Sequence, residues 1–148
     1  MKIIVTGGAG FIGSALIKNL INQKDCDILN IDKLTYASNL HSLERIPSNN
    51  YTLLKADICN EYVIPDAINN FRPDAIFHLA AESHVDRSIE SPGEFIRTNI
   101  NGTYNLLNAS LNYWENLDSL GKENFRFIHV STDEVYGSLD LNQKPFNE

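Results

Sequence analysis

Short apolar runs alternate with amphipathic or polar stretches from the first residues of this chain onward. Ile3-Ile4-Val5 reads as a buried strand and runs into glycines, after which Phe11, Ile12, Ala15, Leu16 and Leu20 recur at helical spacing. Ile28 to Asp32 reads as a second strand ending in an acid, Tyr51 to Ala56 as a third, Ala75 to Leu79 as a fourth and Phe125 to Ser131 as a fifth. A helix is predicted around Tyr62 to Phe71, with Pro65 blurring its start. After the fourth strand the pattern predicts a long helix. Ser91 is placed to cap it, Pro92 suits its first position and Glu94 completes a capping box. Ile96, Ile100, Thr103, Leu107, Ser110, Leu111 and Trp114 carry its apolar stripe. Such alternation argues an α/β fold, a doubly wound parallel sheet with helices on both faces. The stretch from Gly137 to Glu148 is polar and reads as loop, leaving no helix to cover the last strand. The expectation is therefore a fold truncated after about five strands, or one completed by a partner.

Composition narrows the picture mostly by exclusion. With 148 residues, 43% hydrophobic and 21% charged, the chain has the length and balance of one globular domain. Its net charge is −7 and Lys and Arg do not cluster, so no nucleic-acid partner is expected. No apolar run is long enough to span a bilayer, so no membrane is expected either. Cys26 and Cys59 have neither metal-ligand nor disulfide-framework spacing. They suit reduced thiols in a cytoplasmic protein, and no metal site is expected.

The candidate chemistry begins at Thr6-Gly7-Gly8-Ala9-Gly10-Phe11-Ile12-Gly13, between a strand and a helix. Gly7, Gly10 and Gly13 allow a sharp turn and bring bare N–H groups to a pyrophosphate at the helix N-terminus. Asp32 ends the second strand nineteen residues after Gly13, where an acid accepts hydrogen bonds from the adenosine ribose and repels a 2′-phosphate. Together these features predict dinucleotide binding, with NAD favoured, although Lys33 directly after Asp32 pulls slightly the other way. Asp57 and Ile58, past the third strand, are placed to flank the adenine.

Three further segments sharpen this. Asp32-Lys33-Leu34-Thr35-Tyr36-Ala37, His78 to Ser88, and Ser131-Thr132-Asp133-Glu134-Val135-Tyr136-Gly137 together resemble the dTDP-glucose 4,6-dehydratases of the extended short-chain dehydrogenase/reductase group. The likeness runs from Lys2 to Glu148, and its most specific part is the Asp-Glu pair, which the related 4-epimerases lack. The resemblance implies a Rossmann-like NAD-binding domain over residues 1–148. It implies NAD contacts at Phe11, Ile12, Asp32, Lys33, Leu34, Thr35, Asp57, Ile58, Leu79, Ala80, Ala81, Glu82, Ser83 and Thr98. It gives Ser83 and Thr132 a role in holding the sugar of a nucleotide-sugar substrate, dTDP-glucose. It makes Asp133 the general acid and Glu134 the general base of a lyase reaction yielding dTDP-4-keto-6-deoxyglucose. A homodimer is also implied, with the helix from Ser91 at its interface and Tyr104, Leu111 and Tyr113 exposed there, core packing being an equal explanation for some of the three.

The resemblance also implies a catalytic tyrosine followed four residues later by a lysine on one helix face. Tyr-x-x-x-Lys occurs once, at Tyr51 and Lys55 on a predicted strand, where four residues separate the pair far more than on a helix. That spacing reads as chance. The chain by itself is expected to hold NAD without turning over sugar. A stand-alone dinucleotide-binding or interaction module, and a related nucleotide-sugar dehydratase or epimerase, stay open as alternatives.

Overall fold

A computed structural model describes residues 1–22, 26–44, 46, 49–140 and 142–147. Five strands form one sheet: β1 (Lys2–Thr6), β2 (Asp27–Asp32), β3 (Tyr51–Lys55), β4 (Ala75–His78) and β5 (Arg126–His129). Every pairing is parallel and the order is β3-β2-β1-β4-β5. β1 is central because it is apolar on both faces. Ile3 and Val5 pack on one side and Ile4 on the other, all fully buried. Parallel strands buried on both faces need crossover helices, and these complete the layers.

On one face, α1 (Phe11–Asn22) buries Ile17 and Leu20 against Ile3, Val5 and Ile28. On the other, α2 (Val63–Phe71) and α5 (Thr103–Glu115) bury Ile64, Ile68 and Leu106 against Ile4, Leu29, Ile31 and Ile76. The start of α2 is settled by Asn60, whose side-chain oxygen accepts from the N–H groups of Tyr62 and Val63, each at 3.0 Å. Pro65 is the third residue of that helix, where a missing N–H costs no intrahelical bond. Arg72, left-handed at φ 55°, closes α2 by donating to the Ile68 carbonyl, and Pro73 prevents continuation.

The long helix after β4 differs from expectation. Two short helices, α3 (Val85–Glu90) and α4 (Pro92–Phe95), come first, followed by a π-helical turn over Ile96–Gly102 that feeds α5. Ser91 makes no side-chain cap, so the predicted capping box does not form. Its N–H, which Glu94 would have taken, already donates to the Arg87 carbonyl at 2.8 Å to close α3. Pro92 does open α4 as predicted. A further short helix, α6 (Ser119–Asn124), is capped by Asp118, whose side chain accepts from the Gly121 N–H at 2.7 Å. Of the three residues offered for the interface or the core, Tyr104 and Leu111 are exposed, and Tyr113, 8% exposed, belongs to the core. Its ring lies edge-on to Phe125 and its hydroxyl donates to the Pro73 carbonyl.

β5 is shorter than predicted and lies at a sheet edge, with Val130 to Asp140 exposed. Leu141 and Glu148, within the predicted terminal loop, lie outside the described residues. Among the described residues, no helix is long and apolar enough to cross a membrane, and no group of acids, histidines and cysteines is arranged to hold a metal ion.

Candidate functional site

β1 has β2 on one side and β4 on the other, so the chain winds outward in both directions from it. At such a switch point, loops leaving the C-terminal strand ends part and leave a crevice. A cleft of about 430 Å³ lies there. It is lined by Gly7, Gly10, Phe11, Ile12, Gly13, Asp32, Lys33, Thr35, Asp57, Ile58, Leu79, Ala80, Ala81, Glu82, Ser83 and Thr98, which are all the expected cofactor residues except Leu34. Leu34 holds the adjoining turn at φ 59° instead.

Close packing explains the glycine turn. Gly7 is at φ 72°, and a Cβ on it would lie 2.8 Å from the Ala80 backbone. A Cβ on Gly13 would collide with the Gly7 carbonyl and the Gly8 Cα. Gly10 differs: its Cβ would meet only the Gly7 oxygen, at 3.2 Å, and otherwise open space. The turn is therefore tight where backbones cross and open where it faces the cleft. Phe11 and Ile12, at the mouth, are 92% and 62% exposed, a large apolar surface unusual at the start of a helix whose other face is core.

Asp32 is 7% exposed and already accepts three hydrogen bonds. Its Oδ2 takes the Ala9 N–H at 2.9 Å, and its Oδ1 takes the Leu34 N–H at 2.7 Å and the Ser38 hydroxyl at 3.0 Å. A carboxylate has about four acceptor positions, so one remains for a ligand hydroxyl. Asp57 lies opposite. Burial pushes its carboxyl up, but the Cys59 N–H and thiol and the Lys33 ammonium outweigh this and hold it below the usual range. Lys33 Nζ and Arg97 Nη2 both lie 3.2 Å from Asp57 Oδ2.

The β4 side is held from below and from the flank. His78, 1% exposed, hydrogen-bonds with the Thr6 hydroxyl at 2.7 Å and with the Thr103 hydroxyl at 2.9 Å. Thr6 in turn accepts from the Ala80 N–H. Burial, helped by neighbouring His129, pushes the His78 imidazole down to about 4, so it is neutral at ordinary pH. Asn99, on the π-helical turn, accepts from the Glu82 N–H and donates to the Glu82 carbonyl, both at 2.8 Å. The same turn aims Thr98 inward. Its Oγ1 is the one buried side-chain polar atom without a partner among the described residues. An orphaned hydroxyl in a cleft lined by glycine N–H groups and a near-saturated acid fits a polar dinucleotide.

Thr132, Asp133 and Glu134 follow β5 and do not line the cleft; Val130 and Ser131 just before them do. Thr132 caps a 3-10 turn over Asp133–Tyr136 by accepting from the Glu134 N–H at 3.3 Å, and its hydroxyl donates to Asp133 Oδ1 at 3.3 Å. All three are exposed. Ser38, Asn30, Arg97 and Asn99 were not anticipated from the sequence. Each acts on a partner far along the chain or through a loop turn, so no local spacing marks it. Gly8 was equally hidden: a Cβ on it would strike Asn30 and Ile17, and its N–H donates to Asn30 Oδ1.

Sheet order, crossover helices and a switch-point cleft define a Rossmann-like fold. The chain belongs to the GDP-mannose 4,6 dehydratase family, whose sequence model matches residues 4–148. It is 53% identical to a dTDP-glucose 4,6-dehydratase of Haemophilus influenzae over 100% of this chain and 44% of that protein. It is 56% identical to dTDP-glucose 4,6-dehydratase 1 of Escherichia coli over 94% of this chain and 39% of that one. The chain thus spans well under half the length of these relatives. Among solved structures, the dTDP-glucose 4,6-dehydratase of Bacillus anthracis in complex with NAD matches 100% of this chain and 42% of its own, with a TM-score of 0.82 and 34% identity. A UDP-glucose 4-epimerase of Thermus thermophilus in complex with NAD matches 76% of this chain, with a TM-score of 0.68 and 30% identity.

Proposed function

We propose that this chain holds NAD and supplies the acid and base of a dTDP-glucose 4,6-dehydratase, a lyase converting dTDP-glucose to dTDP-4-keto-6-deoxyglucose. The supporting observation is the joining of two features in one cleft. Gly7, Gly10, Asp32 and unpartnered Thr98 line it, and its β5 wall, Val130 and Ser131, leads directly into Thr132-Asp133-Glu134. The curated relatives carry the same activity in their names.

Gly7, Gly10, Asp32 and Thr98 would hold NAD, which would supply a reversible hydride acceptor for oxidation at the sugar C4 and reduction at C6. In the elimination Glu134 would remove the C5 proton, and it would give a proton back to C5 once C6 is reduced. Asp133 gives a proton to the departing C6 hydroxyl, which leaves as water. Thr132, bonded to the Asp133 carboxyl and to the Glu134 N–H, ties the acid to the backbone of the base and, with Ser83, holds the sugar. The two free cysteines, one of them buried, suit the reducing cytoplasm.

The 148 residues by themselves bind NAD without turnover. The base for the C4 hydroxyl has no counterpart in Tyr51 and Lys55. Tyr51 opens β3, at the sheet edge opposite β5, and accepts from Asn30 Nδ2 at 2.9 Å. Burial raises its phenol, the wrong direction for a base. Homodimer formation through the exposed face of Ile100, Tyr104 and Leu111 completes the reading.

A chimera tests it. These residues replace the matching stretch of the Haemophilus influenzae relative, and products from dTDP-glucose are followed by NMR. A 4-keto-6-deoxy sugar, lost in Glu134→Gln, is expected. A C4 epimer would favour an epimerase instead, and product from the 148 residues alone would overturn the assignment of Tyr51 and Lys55.

A further inference from the structure

Lys33 raises a question that Asp32 alone does not answer. A lysine beside the ribose acid is the right chemistry to neutralise a 2′-phosphate, and would invite NADP. In the structure its charge is already committed. Lys33 Nζ lies 3.2 Å from Asp57 Oδ2 and 3.8 Å from Glu94 Oε2. Arg97 closes the ring from the other side, with Nη2 3.2 Å from the same Asp57 oxygen and Nη1 3.9 Å from Glu94 Oε2. Two cations and two anions from three separate segments balance to zero at the cleft wall.

Asp57 is the fixed member of this ring. Its Oδ1 accepts the Cys59 N–H at 2.9 Å, which orients Oδ2 toward the cations, and its side chain is 20% exposed against 39% for Lys33 and 51% for Arg97. Turning Lys33 toward a phosphate would remove a counter-charge from a partly buried carboxylate and leave that carboxylate near a dianion. Both consequences oppose NADP, and neither depends on Asp32.

We propose that Asp57, assisted by Glu94, is a specificity-determining residue. It sequesters Lys33 and Arg97 so that the cleft takes a dinucleotide with a free adenosine 2′-hydroxyl and refuses its 2′-phosphate. The inference rests on the dinucleotide reading above. It assigns discrimination to a charge-locking network rather than to repulsion by Asp32 alone.

The test is calorimetric titration of the chain with NAD and with NADP, reading the ratio of the two affinities, with a thermal melt of every variant. Asp57→Asn keeps the oxygen that receives the Cys59 N–H but no longer pairs with the cations. It is expected to narrow the ratio roughly tenfold, mainly by tighter NADP binding. Glu94→Gln, outside the cleft, narrows it about twofold. Lys33→Met added to Asp57→Asn restores the original ratio, because the lysine released by the first change is what receives the phosphate. An unchanged ratio in a folded Asp57→Asn that still binds NAD would overturn the proposal. So would a narrowed ratio that persists when Lys33→Met is added to Asp57→Asn, which would mean the lysine is not what the network withholds. If the unaltered chain binds neither nucleotide, the dinucleotide reading itself is what has failed.

Discussion

At the β1 end of the cleft, the main polar groups of the wall are tied to the protein before any ligand arrives. Asp32 accepts from Ala9, Leu34 and Ser38, Asn30 from Gly8, and Thr6 from Ala80 while also bonding to His78. At the β5 end, the side-chain bonds of Thr132 and Asp133 stay within their own 3-10 turn, and Glu134 joins it through its backbone, its N–H donating to Thr132 and its carbonyl accepting from Gly137. β1 is flanked by a strand on each side and is buried; β5 pairs on one side only, and its sequel is exposed. The first region is a preorganised cradle, while the second presents two carboxyl groups on a local turn. Binding geometry is thus stored in the core, while Asp133 and Glu134 stand exposed on a turn held by its own residues.

This contrast can be broken most severely at Gly13. Valine there must displace the Gly7 carbonyl and Gly8, which are backbone, so a loss of ~3 kcal/mol or more is expected in urea unfolding, or no folded protein at all. A folded Gly13→Val of ordinary stability would show that the crossing is looser than its geometry. Next comes acid. His78 stays neutral in the fold down to about pH 4, whereas the unfolded chain takes up the proton near 6.5. Its contribution is therefore complete above about pH 6.5 and is lost as the pH falls to about 4, a change of about 3 kcal/mol by linkage. The difference between wild type and His78→Gln, followed by urea midpoint, should shrink over that window; a constant difference would mean the imidazole is protonated normally. The smallest effects belong to the β5 end. Thr132→Val should cost at most ~1 kcal/mol as a lost cap, and Glu134→Gln should stay within ~0.5 kcal/mol. A larger loss at either position, measured the same way, would move that turn into the structural part of the molecule.

The sheet and the glycine cradle were legible because their signals are local. Apolar runs placed all five strands to within about two residues, and Gly7, Gly10, Gly13 and Asp32 share one wall as their spacing implied. What escaped depends on distant partners. The capping box at Ser91 failed because α3 consumes the N–H it needed. Tyr113 sits in the core because Pro73 and Phe125, remote in sequence, accept its hydroxyl and its ring. The π-helical turn that aims Thr98 and Asn99 leaves the helical apolar spacing nearly unchanged, so periodicity could not show it. Lys33 read as a hint of NADP only because Asp57 and Glu94 lie 24 and 61 residues further on.

The most direct measurement is a calorimetric titration of the chain with NAD beside its Gly10→Val variant. The Cβ of a valine at this position meets the Gly7 oxygen at 3.2 Å and nothing else within 4 Å, a contact the turn relieves by a shift of a few tenths of an ångström, while position 10 lines the cleft that the ligand enters. The expected result is saturable one-site binding, weakened ~100-fold or more in the variant, while the melting midpoint moves by no more than a few degrees. A folded chain that binds no NAD, or binds it equally well with valine at position 10, would contradict the preorganised cradle on which the functional reading stands.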